Sequence, residues 1–194
     1  AVILIFLQPD FGTTATIAFI VFIQFLFSKT KLIYPAFLSI GGWFIGRYFL
    51  ESEFYRAERL RVWSEGICNQ GQELLGACFQ VHQSRIAISS GGMFGLGPGT
   101  SRARWGSLPS AYSDFISSII GEEYGFIGYL IFIFILSICI ITFFLIAVRE
   151  KNEFKKIFIS GLGAWILFQS VLNLGASVYL LPITGIVLPF VSYG

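Results

Sequence analysis

Long apolar runs separated by short charged breaks dominate the chain. The longest, Phe126 to Val148, carries no charge, and as a helix rising about 1.5 Å per residue it covers the roughly 30 Å hydrocarbon core of a bilayer. A second runs from Ile157 to about Leu181, and no charged residue follows Lys156. Two more, about Thr13 to Phe27 and Leu32 to Leu50, are also apolar, the first short enough to suit a thin or tilted crossing. The pattern predicts complete spans at about 13–27, 32–50, 126–148 and 157–181. The opening AVILIFL and closing LPFVSYG read as pieces of spans cut short, at 1–7 and 186–194, and the only methionine is Met93, so a fragment of a longer protein is expected.

The polar breaks predict the topology. Lys29 and Lys31 lie between the first two spans, and Arg149, Lys151, Lys155 and Lys156 between the last two; the positive-inside rule makes both connections cytoplasmic. Residues 51–113 are then an extracytoplasmic loop, with QPDFG near the start and PITG near the end on the same side. Seven arginines between Arg47 and Arg104 run against the simplest form of the rule, but long translocated loops are exempt from it. Composition agrees: 55% of residues are hydrophobic and 12% charged, which excludes an ordinary soluble domain. The expected class is an all-α integral membrane protein, a polytopic helix bundle with a large outer loop.

That loop is where chemistry meets water. In RYFLESEFYRAERLRVW, charges of both signs alternate with aromatics. Two readings stand: an interfacial amphipathic helix with solvated charges, or a surface on which Arg59 and Arg61 face a lipid-linked phosphate with their fixed forks of donors. Further on, SRIAISSGGMFGLGPGTSRARWG joins a small apolar helix to a glycine-rich turn. It has no G-x-x-x-x-G-K-[ST] pattern and no preceding strand, so a flexible or re-entrant cavity lining is expected rather than a nucleotide loop. His82 is the single histidine and reads as a surface residue. Cys68 and Cys78 share the outer segment, where a disulfide is possible, and Cys139 falls in a span. No zinc pattern is present.

LPSAYSDFISSIIGEEYGFIG, residues 108–128, holds the remaining acids. Asp114 stands ahead of the helical run FISSII, where it is placed to cap the helix with its side-chain oxygen. A cap is also able to act as a base, and at a membrane rim Tyr112 and Phe115 would partly desolvate it. Glu122 and Glu123 lie deeper. Intramembrane acids are functional candidates by default; the plainer reading is a pair of helix-start acids stabilised by backbone amides.

Four blocks in one order, QPDFGT at 8–13, FQVHQSRIAISSGGMFGLGPG at 79–99, LPSAYSDFISSIIGEEYGFIG, and NLGASVYLLPITGIVLPFVSYG at 173–194, resemble the SEDS family of bacterial shape, division and sporulation proteins, which includes RodA and FtsW. The likeness covers nearly the whole chain and leans toward the division branch. It implies a ten-helix bundle in the bacterial plasma membrane, of which this chain supplies roughly the second half. The implied activity is peptidoglycan glycosyltransfer, polymerising lipid II outside the membrane beside a class B penicillin-binding transpeptidase and other division proteins, with no role for nucleic acid. Carried over residue by residue, the family's essential acid falls on Asp114 as general base. Arg59, Arg61, Gln80 and Arg85 are the substrate-binding candidates, and Asp10, Glu122 and Glu123 belong to the motifs without an assigned role. The leaving pyrophosphate needs positive charge, from arginine or a divalent cation such as magnesium or manganese. Two departures stand out. Where the family reads P-E-[AR]-H-[ST]-D-F this chain has PSAYSDF at 109–115, and the family's G-Y-Q is Cys78-Phe79-Gln80. The competing expectations are a lipid II transporter and a non-catalytic scaffold that activates a transpeptidase.

Overall fold

The apolar runs become helices because backbone amides and carbonyls in lipid have no water to bond, and a helix satisfies them within one segment. The structure, a computed structural model, describes residues 11–31, 33–35, 63, 64, 66, 68, 77–106 and 108–193. In chain order its helices are α1 (Phe11–Phe27), α2 (Ala77–Ser90), a 3-10 turn (Ala103–Trp105), α3 (Ile116–Arg149) and α4 (Glu153–Ser177), with no strand among the described residues. Both α3 and α4 are long and apolar enough to cross a membrane, and α1 is a shorter apolar helix. The span expected at 32–50, apart from 33–35, and the piece at 1–7 lie outside the described residues, as do Asp10, Arg59 and Arg61. At the other end, 186–193 is irregular chain and turn rather than the start of a span. Pro182 just before this stretch and Pro189 within it withhold amides that a helix would need.

The chain divides into two units, each drawing on α3 and α4. The first takes Ala1–Glu53 and Leu136–Gln169. In it α1 packs through Phe19 stacked on Phe168, ring centroids 4.7 Å apart, and Phe27 tilted against Phe144 at 5.8 Å. The turn between α3 and α4 is closed by Asn152, whose Oδ1 accepts from the Lys155 amide at 3.2 Å as an N-cap. Beside it Lys29 Nζ meets Glu153 Oε1 at 2.8 Å.

The second unit takes Phe54–Ile135 and Ser170–Gly194. Here α3 is broken at Gly125, with φ 68° and ψ −168°, and the glycine-rich turn after α2 is spliced into the break. The Leu96 and Gly97 amides donate to the Glu122 and Glu123 carbonyls, both at 3.0 Å, while the Phe126 and Ile127 amides donate to Gly92 and Met93 carbonyls at 2.8 and 3.2 Å. Backbone groups that the break takes out of the helix ladder are thus paired across the turn. The approach is so close that a Cβ at Gly95 would overlap the Glu123 carbonyl, and one at Gly125 would overlap the Gly95 amide. The turn, expected from its composition to be a flexible or re-entrant cavity lining, is bonded through its backbone into the break.

Three helices in this unit are joined by hydroxyls. Ser84 Oγ donates to the Ser177 carbonyl at 2.6 Å and lies 2.6 Å from Ser118 Oγ. A hydroxyl has one proton, so Ser118 is the donor in the second contact. Ser84, Ser118 and Ser177 are fully buried, and their small side chains let α2, α3 and α4 approach closely.

Candidate active site

Around Asp114 the sequence builds a floor first. Ala87, Ala103, Leu108, Ala111, Phe115 and Ile119 form one buried cluster, with Ile116 and Ile183 packed against it. Phe115, 1% exposed, pins the chain immediately after Asp114. The preceding residues form a tight turn in which the Ser113 and Asp114 amides both donate to the Ser110 carbonyl, at 3.2 and 3.0 Å. Since α3 begins at Ile116, Asp114 falls one residue too early to cap it. Its carboxylate accepts no hydrogen bond and joins no ion pair among the described residues, so the capping role expected from the sequence is not filled. Asp114 is half-buried, and its Oδ2 faces Gly185.

The backbone beneath that unengaged side chain is held tightly. The carbonyls of Tyr112, Ser113 and Asp114 accept, in order, from the Tyr193 amide at 3.1 Å, Ser192 Oγ at 2.6 Å and Asn173 Nδ2 at 2.9 Å. None of these three donors was singled out from the sequence. The one available signal was Asn173, an amide in a largely apolar run.

Glu122 gains a role. It is 2% exposed, and its carboxylate accepts from Ser101 Oγ at 2.6 Å, the Arg102 amide at 3.1 Å and the Ala103 amide at 3.2 Å. The backbone amides anticipated around this acid come from the segment twenty residues upstream rather than from its own helix. That segment presents Arg104, exposed, with its guanidinium 5.6 Å from the Trp105 ring and 5.9 Å from the Tyr112 ring. Stacking of this kind suits arginine. Arg104 is therefore a cation next to the Asp114 turn. Glu123 is buried, and its Oε1 meets no hydrogen-bond donor among the described residues.

Gln80 and Arg85 lie on α2, half-buried and exposed respectively, and neither bonds the Asp114 carboxylate. His82 is exposed. Cys68 and Cys78 form a disulfide with Cα atoms 5.1 Å apart, and Cys139 is a free thiol. Among the described residues no three His, Cys, Asp or Glu side chains come together.

Membrane-spanning helices, a spliced break in α3 and an unengaged acid on a tethered turn define a polytopic helical membrane protein with a candidate catalytic loop. The chain belongs to the FtsW/RodA/SpoVE family: the family model FTSW_RODA_SPOVE, described as "Cell cycle protein", matches residues 1–194. Among its relatives, the probable peptidoglycan glycosyltransferase FtsW of Bacillus subtilis (strain 168) is 37% identical over 98% of this chain and 49% of that protein. The FtsW of the same description from Haemophilus influenzae is 36% identical over 97% of the chain and 48% of its own length. Stage V sporulation protein E of Bacillus subtilis is 32% identical over 100% and 52%. The chain thus spans about half the length of these relatives. A solved structure described as "Structural coordination of polymerization and crosslinking by a peptidoglycan synthase complex" contains a chain that shares the fold with a TM-score of 0.68, at 24% identity, over 100% of this chain and 52% of that one.

Proposed function

We propose that the protein carrying this chain is a peptidoglycan glycosyltransferase that polymerises lipid II, with Asp114 as its general base. The observation that carries this is the Asp114 carboxylate: half-buried, on a backbone fixed at three successive carbonyls, with both oxygens free of hydrogen bonds among the described residues. A base needs that combination of fixed position and unused lone pairs. In the reaction the acceptor sugar hydroxyl gives its proton to Asp114 as its oxygen bonds the anomeric carbon of the donor. The bond from that carbon to the pyrophosphate oxygen breaks, and the electron pair leaves with undecaprenyl pyrophosphate. Arg104, whose guanidinium lies over the Tyr112 ring, is suited to meet the leaving charge, in addition to the sequence candidates Arg59, Arg61 and Arg85. Gln80 remains a candidate for sugar contact.

The loop bearing Asp114 is assigned to the outer face of a bacterial plasma membrane. Three observations support the assignment: the basic connections around Lys29 and Lys156, the contact that joins two of those connections through Lys29 and Glu153, and the Cys68–Cys78 disulfide, a bond that persists in oxidising compartments. The partner is a class B penicillin-binding transpeptidase, consistent with the synthase complex that shares the fold.

A cell depleted of its own copy tests the reading. The full-length Asp114→Asn protein, present in the membrane at the wild-type level, is expected to leave cells unable to divide. Division at the wild-type rate would show that the role is not catalytic.

A further inference from the structure

We infer that Asn173 is a positioning residue for Asp114, acting through the backbone and not on the substrate; the inference rests on the assignment of Asp114 as base. Asn173 lies on α4 and is 2% exposed. Its Nδ2 carries two protons, and both are engaged: one on the Asp114 carbonyl at 2.9 Å, the other on the Ile186 carbonyl at 2.8 Å. A single amide therefore ties the turn that ends in Asp114 to the irregular segment after α4. By holding Ile186 it also holds Gly185, whose neighbour in space is Asp114 Oδ2. Ser192 makes a second tie of the same kind, donating to the Ser113 carbonyl at 2.6 Å while accepting from the Leu188 amide at 2.9 Å.

The other oxygen of Asn173 separates positioning from mere packing. Oδ1 is buried and has no hydrogen-bond partner among the described residues. An unpaired buried acceptor is costly, and a leucine of similar shape would avoid that cost if filling space were the task. The amide is worth keeping for its two donors. What those donors fix is a residue in a turn, outside any helix ladder, whose carbonyl would otherwise be free to rotate and carry the carboxylate with it. A proton transfer is sensitive to such movement, since a displacement of about 1 Å costs on the order of 10²-fold in rate.

The test uses the full-length protein with its transpeptidase partner, measuring kcat and KM for lipid II together with the thermal midpoint. Asn173→Leu is expected to lower kcat at least about tenfold while KM stays within about twofold. Ser192→Ala is expected to lower kcat several-fold, a smaller effect because one tie is lost. Introduced into the Asp114→Asn protein, Asn173→Leu is expected to reduce the residual rate no further, because the group it positions is already gone. Wild-type kcat in Asn173→Leu overturns the inference, and so does the same fold-loss in both backgrounds, which a purely structural role would produce. If Asn173→Leu does not accumulate in the membrane, Ser192→Ala decides, and an unchanged kcat there overturns it. A wild-type rate in Asp114→Asn alone is a distinct result: it removes the base assignment itself, and this inference with it.

Discussion

Single residues carry two roles that their identities do not announce. Glu122 was legible as an acid inside an apolar segment, but its function was not, because two of its partners are backbone amides that any sequence would supply there. The same holds for Asn173, whose acceptors are carbonyls. Replacing Glu122 by glutamine turns one acceptor into a donor facing amide or hydroxyl donors, at a cost of about 1–3 kcal/mol for the groups left unpaired. The expected result is a lower thermal midpoint and faster tryptic cleavage after Arg102 and Arg104; an unchanged cleavage rate would mean that Glu122 does not hold that segment. A different pair answers to pH. Hydrogen bonding to Glu153 holds the Lys29 ammonium above its ordinary value, and the bond from Lys29 holds the Glu153 carboxyl below its own. The carboxyl's contribution is present above its unfolded pKa and lost as pH falls through its folded one; the ammonium's is present below its unfolded pKa and lost as pH rises through its folded one. The difference in midpoint between wild type and Lys29→Met should therefore be flat between roughly pH 5 and 10 and shrink beyond either end. Both groups are exposed, so the effect is small and falls with salt. A difference that persists at pH 2 would contradict the pairing.

At the scale of elements, the runs expected at 126–148 and 157–181 fall on α3 (Ile116–Arg149) and α4 (Glu153–Ser177), whereas the hydrophobic pattern neither reached α3's first turns nor marked its interruption. Charge-free runs mark where a helix lies in lipid, but a break is a backbone event. Gly125 is one of several glycines in the segment, and only the turn at 91–97 packing into the gap distinguishes it. Two glycines of similar conformation separate strain from collision. Gly95 and Gly99 have φ of 82° and 80°, yet a Cβ at Gly95 overlaps the Glu123 carbonyl whereas one at Gly99 meets nothing within 4 Å. Alanine at Gly99 should cost about 1–2 kcal/mol from the left-handed backbone alone. Alanine at Gly95 should cost clearly more and loosen the splice. Equal losses of thermal midpoint in the two variants would contradict the splice as drawn.

For the whole molecule, family motifs carried more than periodicity did. Composition and charge bias led to a polytopic membrane protein with an outer loop; the ordered blocks led to the family, which the match over residues 1–194 confirms. The motif also pointed to Asp114, but neither the tethers beneath it nor the Arg104 stack over Tyr112 could be read from it, since those depend on segments brought together only in the fold. The departures from the family pattern just before Asp114 fall at Ser110 and Tyr112, whose carbonyls accept the turn amides and the Tyr193 amide, so the turn is held by backbone bonds that do not depend on those side chains. The most direct measurement is polymerisation of purified lipid II by the full-length protein with the proposed transpeptidase partner. Asp114→Asn should reduce glycan strand formation by about 10²-fold or more while the complex remains intact; strand formation at the wild-type rate would contradict the assignment of Asp114 as the base.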